Sequence, residues 1–261
     1  DCMKTSRFYL AVLGVLYLFL LGPFLLIFIA SFGSEPIMTF PPKGFSLRWF
    51  AKVFTVRMFL DAFITSLWIG LASTLSALVL GIPAAYALVR YSFPSRSLLE
   101  VLFASPAVIP GLVLGFSLLR FFVLIGNFPI VLGLYVGHTV ILLPYTVRVV
   151  SASLRNLDPS IEEAAVSLGA PPVRSFFLVV LPNIRAGVMA AFILAFITSF
   201  NNVPISLFLT GPGIAALPIQ MLIYMEYYFD PTIAALSSLL IVITVLIVQG
   251  AERGLGISQY V

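Results

Sequence analysis

Long apolar runs alternate along this chain with short polar connections, and the runs predict helices over about residues 8–30, 62–89, 98–122, 130–152, 183–209 and 231–251. A helix crossing a hydrocarbon core needs about 20 mostly apolar residues and satisfies its own backbone hydrogen bonds there, which these runs permit. The stretch from Ala186 to Met225 is too long for one helix, and the breakers Thr210, Gly211, Pro212 and Gly213 place its end near Leu209. Ile214 to Tyr228 then reads as an external segment that dips back toward the membrane. The pattern predicts an all-α membrane protein with six transmembrane helices, a single domain over 1–261 and one long polar loop at 154–182.

Composition agrees. Hydrophobic residues make up 61% of the chain and charged residues 9%, with mean hydropathy +1.14, against an apolar share of about 45–50% in soluble domains. Basic residues near span ends set orientation. With the N-terminus inside, Lys4, Arg7, Arg90, Arg96, Arg148, Arg155, Arg174, Arg185 and Arg253 are cytoplasmic, whereas Lys43, Arg48, Lys52, Arg57 and Arg120 face out. Both termini are therefore expected in the cytoplasm, the loop 154–182 with them. Such anchoring uses most of the net charge of +4, so no nucleic-acid partner is implied. Cys2 is the single cysteine, which excludes an intrachain disulfide and a cysteine metal cluster. The first run exceeds a signal core and lacks a small-residue cleavage site, so it is expected to be retained.

The polar segments carry more information. In the first external loop, Ser46 can cap a short helix to about Val56, placing Trp49, Phe50 and Phe54 beside Arg48, Lys52 and Arg57 as a headgroup anchor. In the loop 154–182, Asp158 caps a helix opened by Pro159, and Gly169 stands where a left-handed residue ends it. Ile161, Ala164, Ala165 and Leu168 recur at helical spacing as an apolar face, with Glu162, Glu163 and Ser167 away from it. Pro171 and Pro172 prevent continuation, and a second short turn closes at Leu181 and Pro182. A capped, rigid helix of about ten residues suits a docking knob. The bland reading, a loop helix lying on its own bundle, is equally open on these residues alone.

Glu163, Ala164, Ala165, then Gly169, then Val179, Leu181 and Pro182 resemble the EAA signature of permease subunits of binding-protein-dependent ABC importers. Only Val179 departs from it, replacing isoleucine. The FPPKGFSLRWF and SFNNVPISLFLTGP stretches are similar to the spermidine/putrescine subfamily. The resemblance implies a type I importer permease of the MetI-like fold in the bacterial plasma (inner) membrane. It implies ATPase coupling through Ile161, Glu162, Glu163, Ala164, Ala165, Leu168, Gly169 and Pro182. It also implies a second permease subunit in a heterodimer, two copies of a cytoplasmic ABC ATPase and an extracytoplasmic solute-binding protein. ATP and Mg would be bound by the partner ATPase, with no cofactor in this chain, and the solute would be a polyamine, a GABA-like or another amino-acid-like compound. Consistent with an external energy source, the sequence has no GxxxxGK[ST] loop and no central intramembrane Asp or Glu.

Span five offers the best polar set for a solute path. Thr198, Asn202, Ser206 and Thr210 are spaced by four on one helical stripe, Asn201 adjoins them and Pro204 can bend the helix. Asn201, Asn202 and Ser206 either face a central cavity between two permeases or hydrogen-bond to neighbouring helices; for Thr198 the second is favoured. Polyamine-type members often carry acids where Asn201 and Asn202 stand, so a zwitterionic or neutral polar solute fits as well. His138 is expected to be packed and hydrogen-bonded rather than a proton or substrate contact, and Arg120 to snorkel. Tyr224, Tyr227 and Tyr228 with Glu226 and Asp230 form an external patch that marks the interface belt or receives the binding protein. An ion-coupled secondary transporter or channel is the alternative; a membrane enzyme is disfavoured by the absence of HExxH, GxSxG or an acidic pair.

Overall fold

The computed structural model describes residues 7–126 and 128–255. Cys2 and Lys4 lie outside the described residues, as do the side chains of Arg7 and Arg253. The chain is helical: α1 (Arg7–Ala30), α2 (Arg48–Thr55), α3 (Arg57–Arg90), α4 (Arg96–Val108), α5 (Gly111–Ile125) and α6 (Ile130–Arg155) are followed by α7 (Pro159–Ser167). Then come α8 (Pro172–Asn183), α9 (Arg185–Phe200), α10 (Val203–Leu209), α11 (Leu217–Tyr227) and α12 (Thr232–Leu255). Within α8, Phe176–Val180 forms one wide π-type turn. Among the described residues, four helices are long and apolar enough to span a membrane, and the number rises to six if each of two bent pairs is one span.

The bends have local causes. Span three breaks by 102° between α4 and α5, because Ile109 precedes Pro110 and is held extended (ψ 131°). The expectation of one helix over 98–122 is corrected accordingly. A 72° bend separates α8 from α9 at Ile184. Span five, expected as one helix over 183–209, begins at Arg185 and is interrupted at Asn201 and Asn202. Gly211 and Ile214 exchange two 3.0 Å backbone bonds in a tight turn that needs the positive φ of Gly213 (75°), which ends α10 as the breaker cluster requires.

The chain divides into two compact units. The first takes in the chain up to Leu60 together with Met221–Ala251. In it, Trp49 and Val53 of α2 are buried, and the Trp49 indole donates to the Gly33 carbonyl at 2.7 Å. Trp49 is therefore held by packing within this unit, with Arg48 and Lys52 over its ring, while Phe54 remains exposed. Lys52 Nζ meets Asp230 Oδ2 at 2.5 Å beside the Tyr224 ring. Asp230 also accepts from the Thr232 amide at the start of α12. Asp230 and the largely buried Tyr224 thus have structural partners, whereas Tyr227 and Tyr228 stay exposed.

The second unit holds Asp61–Gln220 and contains two apolar clusters. One joins Ile69 and Ala77 of α3 to Phe122, Leu134, Leu142, Ala195 and Ile205. The other gathers Leu88, Val150, Leu154, Val180 and Ile184 at the opposite end of α3 and α6. Interhelical polar bonds supplement them, with Ser73 Oγ on the Tyr135 carbonyl and Thr146 Oγ1 on the Ala77 carbonyl, each at 3.1 Å. Gly111 and Gly115, four residues apart, let α5 approach α10 closely. A Cβ at Gly115 would sit 2.8 Å from the Pro204 carbonyl oxygen.

Candidate functional site

The helix in the 154–182 loop forms as its caps dictate. Asp158 Oδ1 accepts from the Ser160 amide at 2.9 Å, Pro159 occupies the first turn and Gly169 takes φ 93°. The Ser160 amide bond, the Ser160 hydroxyl and the Arg90 charge hold the Asp158 carboxyl below its usual pKa. Ile161, Ala164 and Leu168 are exposed, Leu168 at 90%, while Ala165 is half-buried. The helix thus leaves an apolar row open beside its capped start, a pattern typical of interaction surfaces.

Glu162 lies away from the apolar row and turns toward the bundle. Its side chain is 14% exposed and faces Arg90 Nε at 3.4 Å, and the Tyr86 hydroxyl donates to it. Arg90 also donates to the Leu157 carbonyl at 3.1 Å, tying the loop's entry to the end of α3. Glu162 therefore mounts the helix, whereas Glu163 is exposed and makes no ion pair among the described residues. Beyond Gly169, Pro182 lies at the end of α8, where Asn183 Nδ2 bonds to the Val179 carbonyl at 2.7 Å. The mount is not legible in the sequence, because Arg90 is remote along the chain and helical periodicity reports only the spacing of apolar positions.

The polar stripe expected along span five does not form, because α9 ends at Phe200. Asn202 instead caps α10, its Oδ1 accepting from the Ile205 amide at 2.9 Å while the residue is 9% exposed. Ser206 is fully buried and bonds to His138 Nε2 at 3.1 Å; the other ring nitrogen, Nδ1, meets Ser199 Oγ at 2.7 Å. His138 thus joins α9 to α10 across the break, and its two ring nitrogens are both engaged. Thr198 closes onto the Leu194 carbonyl at 2.7 Å, and Thr210 onto Ser206. Of the polar candidates, Asn201 is the one left exposed, at the break itself. The Asn202-Val203-Pro204 order was a usable sign of the restart: a capping residue, then proline in the first turn.

Residues 77–253 match the model of the family described as binding-protein-dependent transport system inner membrane component. The chain belongs to that family. The permease is 33% identical over 242 residues to the putrescine transport system permease protein PotI of Escherichia coli (strain K12), covering 90% of this chain and 85% of the relative. It is 28% identical over 245 residues to the spermidine/putrescine transport system permease protein PotC of Haemophilus influenzae, covering 93% and 95%. Among solved structures, the bacterial ABC transporter that imports the acidic polysaccharide alginate has a chain of the same fold, with TM-score 0.72 at 17% identity over 97% of this chain and 98% of that one. This chain is thus a membrane-spanning permease subunit of an ABC importer in the inner membrane, and not itself catalytic. Family membership implies an ATPase, a binding protein and a second permease as partners.

Proposed function

We propose that α7 is the part of this permease that receives the ATPase, through Ile161, Ala164, Ala165 and Leu168, with Glu163 at the rim and Glu162 and Gly169 fixing the helix's pose. The observation that carries the reading is an exposed apolar row on a helix capped at its start, stopped at Gly169 and tied back to α3. Pro182 and the bend at Ile184 connect that loop to α9. The end bearing Arg90, Arg96, Arg148 and Arg155 is cytoplasmic on this reading, and both termini with it. ATP and Mg belong to two ATPase copies, and a second, different permease completes the path.

The path runs beside the break in span five, where the exposed Asn201 offers its amide to solute. Asn202 and Ser206 act from behind it by shaping α10, and Thr198 serves helix packing. The names of the relatives favour a small amine-bearing solute of polyamine or amino-acid type, and an amide at Asn201 supports hydrogen bonding rather than ion pairing with it. The test is ATP-driven uptake of putrescine and of GABA by the full complex in proteoliposomes. Glu163→Lys or Gly169→Val should abolish uptake with the spans still folded. Asn201→Leu should impair uptake without loss of assembly. Robust flux from vesicles lacking the ATPase would overturn the coupling reading, and unchanged uptake by Asn201→Leu would remove that residue from the path.

A further inference from the structure

A cleft of about 620 Å³ lies within the second unit, between the ends of α3, α4 and α6. Leu88, Phe103, Ala107 and Val147 supply an apolar wall, and Arg148 and Arg155 stand at its edge. Arg148, Ser151, Ala152 and Arg155 are spaced i, i+3, i+4 and i+7, so both guanidinium groups share one face of α6. The acid of the cleft, Glu100, is already paired with Arg96 at 3.0 Å. Neither Arg148 nor Arg155 makes an ion pair or side-chain hydrogen bond among the described residues, unlike Arg90 and Arg96. The cleft therefore has excess positive charge beside an apolar slot, at the chain's basic end.

We propose that this cleft binds one anionic phospholipid, its phosphate held by Arg148 and Arg155 and an acyl chain lying along Phe103, Ala107 and Val147. The match is one of chemistry at both ends. Guanidinium pairs take phosphate oxygens in bidentate fashion, and the apolar wall would otherwise lack a partner. A soluble phosphate would satisfy the arginines and leave the wall bare. A protein helix would cover the wall but would need acids to meet the arginines. Such a lipid would wedge α4 against α6 and so bear on the bend at Pro110.

The experiment is native mass spectrometry of the complete complex, released from nanodiscs containing phosphatidylcholine with or without phosphatidylglycerol. The wild type should retain phosphatidylglycerol in preference to phosphatidylcholine, and Arg148→Gln/Arg155→Gln should hold it about thirtyfold less tightly. Arg120→Gln, an equivalent charge change elsewhere, should retain it as wild type does. Ala107→Trp, which fills the slot and keeps both charges, should lose the lipid too, and it serves if the double variant fails to assemble. Equal retention in wild type and both cleft variants would overturn the proposal. So would displacement of the bound lipid by inorganic phosphate alone, or efficient crosslinking of Ala104→Cys to the second permease or the ATPase.

Discussion

Two short helices of this permease begin in nearly the same way and end in opposite environments. Both α7 and α10 start with an Asx side chain that accepts a backbone amide at 2.9 Å and carry proline in the first turn. The cap of α7 is a carboxylate, Asp158, standing in solvent. The cap of α10 is an amide, Asn202, buried at the break with its backbone amide on the Ser199 carbonyl. A capping oxygen is needed in both places, but a charge is tolerable only in the first, because burying an unpaired carboxylate costs far more than burying an amide whose oxygen is satisfied. The asparagine at 202 is thus explained by its local duty, independently of the solute. That leaves Asn201, exposed at the break, as the position where the proposed solute path would feel an acid in place of an amide.

The most severe way to break this contrast is to put the charged cap inside. Asn202→Asp should destabilise the second unit by about 3 kcal/mol at neutral pH, as for a carboxylate at membrane depth, read as a lower thermal midpoint of the complex in detergent. Asp158→Asn, the reciprocal change, should leave that midpoint within error. If the two substitutions have equal effects, burial is not what separates the caps.

Next comes the face that α7 leaves open. Leu168→Asp should weaken ATPase association about thirtyfold, the scale of an interface anchor, while changing the thermal midpoint little. A matching loss of stability would mean that Leu168 packs within the chain. Smaller still is Asn202→Ala, which deletes the cap without adding charge and should cost about 1 kcal/mol, largely recovered by Asn202→Ser.

The smallest effect is set by pH. Asp158 has a folded pKa below its usual value, so its contribution is present above the unfolded pKa, near 4, and fades as pH falls through the lower folded one. Hydrogen exchange of the α7 amides should therefore quicken beyond the intrinsic trend only below about pH 4, and Asp158→Asn should remove that dependence. The sign is opposite for Lys52. Its bond to Asp230 raises its pKa, so its contribution holds below the unfolded value and is lost only as pH rises through the raised one.

Much of this was legible in the chain. Apolar runs located the long helices, and Asp158-Pro159 with Gly169 bounded α7 because capping chemistry is local. The interruptions of spans three and five were harder, since hydropathy averages over a proline or a paired asparagine without registering the break. His138 was legible as a packed, hydrogen-bonded residue, but neither its partners nor the mount at Glu162 could be read. The partners Arg90, Tyr86, Ser199 and Ser206 are brought near by packing of remote segments, which helical periodicity cannot report.

The attachment of Glu162 has a mechanical consequence. It grips α7 near its first turn, whereas Leu168, six residues on, stands free at the other end. At about 1.5 Å per residue the two points are about 9 Å apart, so a load on Leu168 acts as a torque about the Glu162 bearing. An ATPase pressing on that tip would turn α7 like a crank, and the rotation would enter α8 and α3 together.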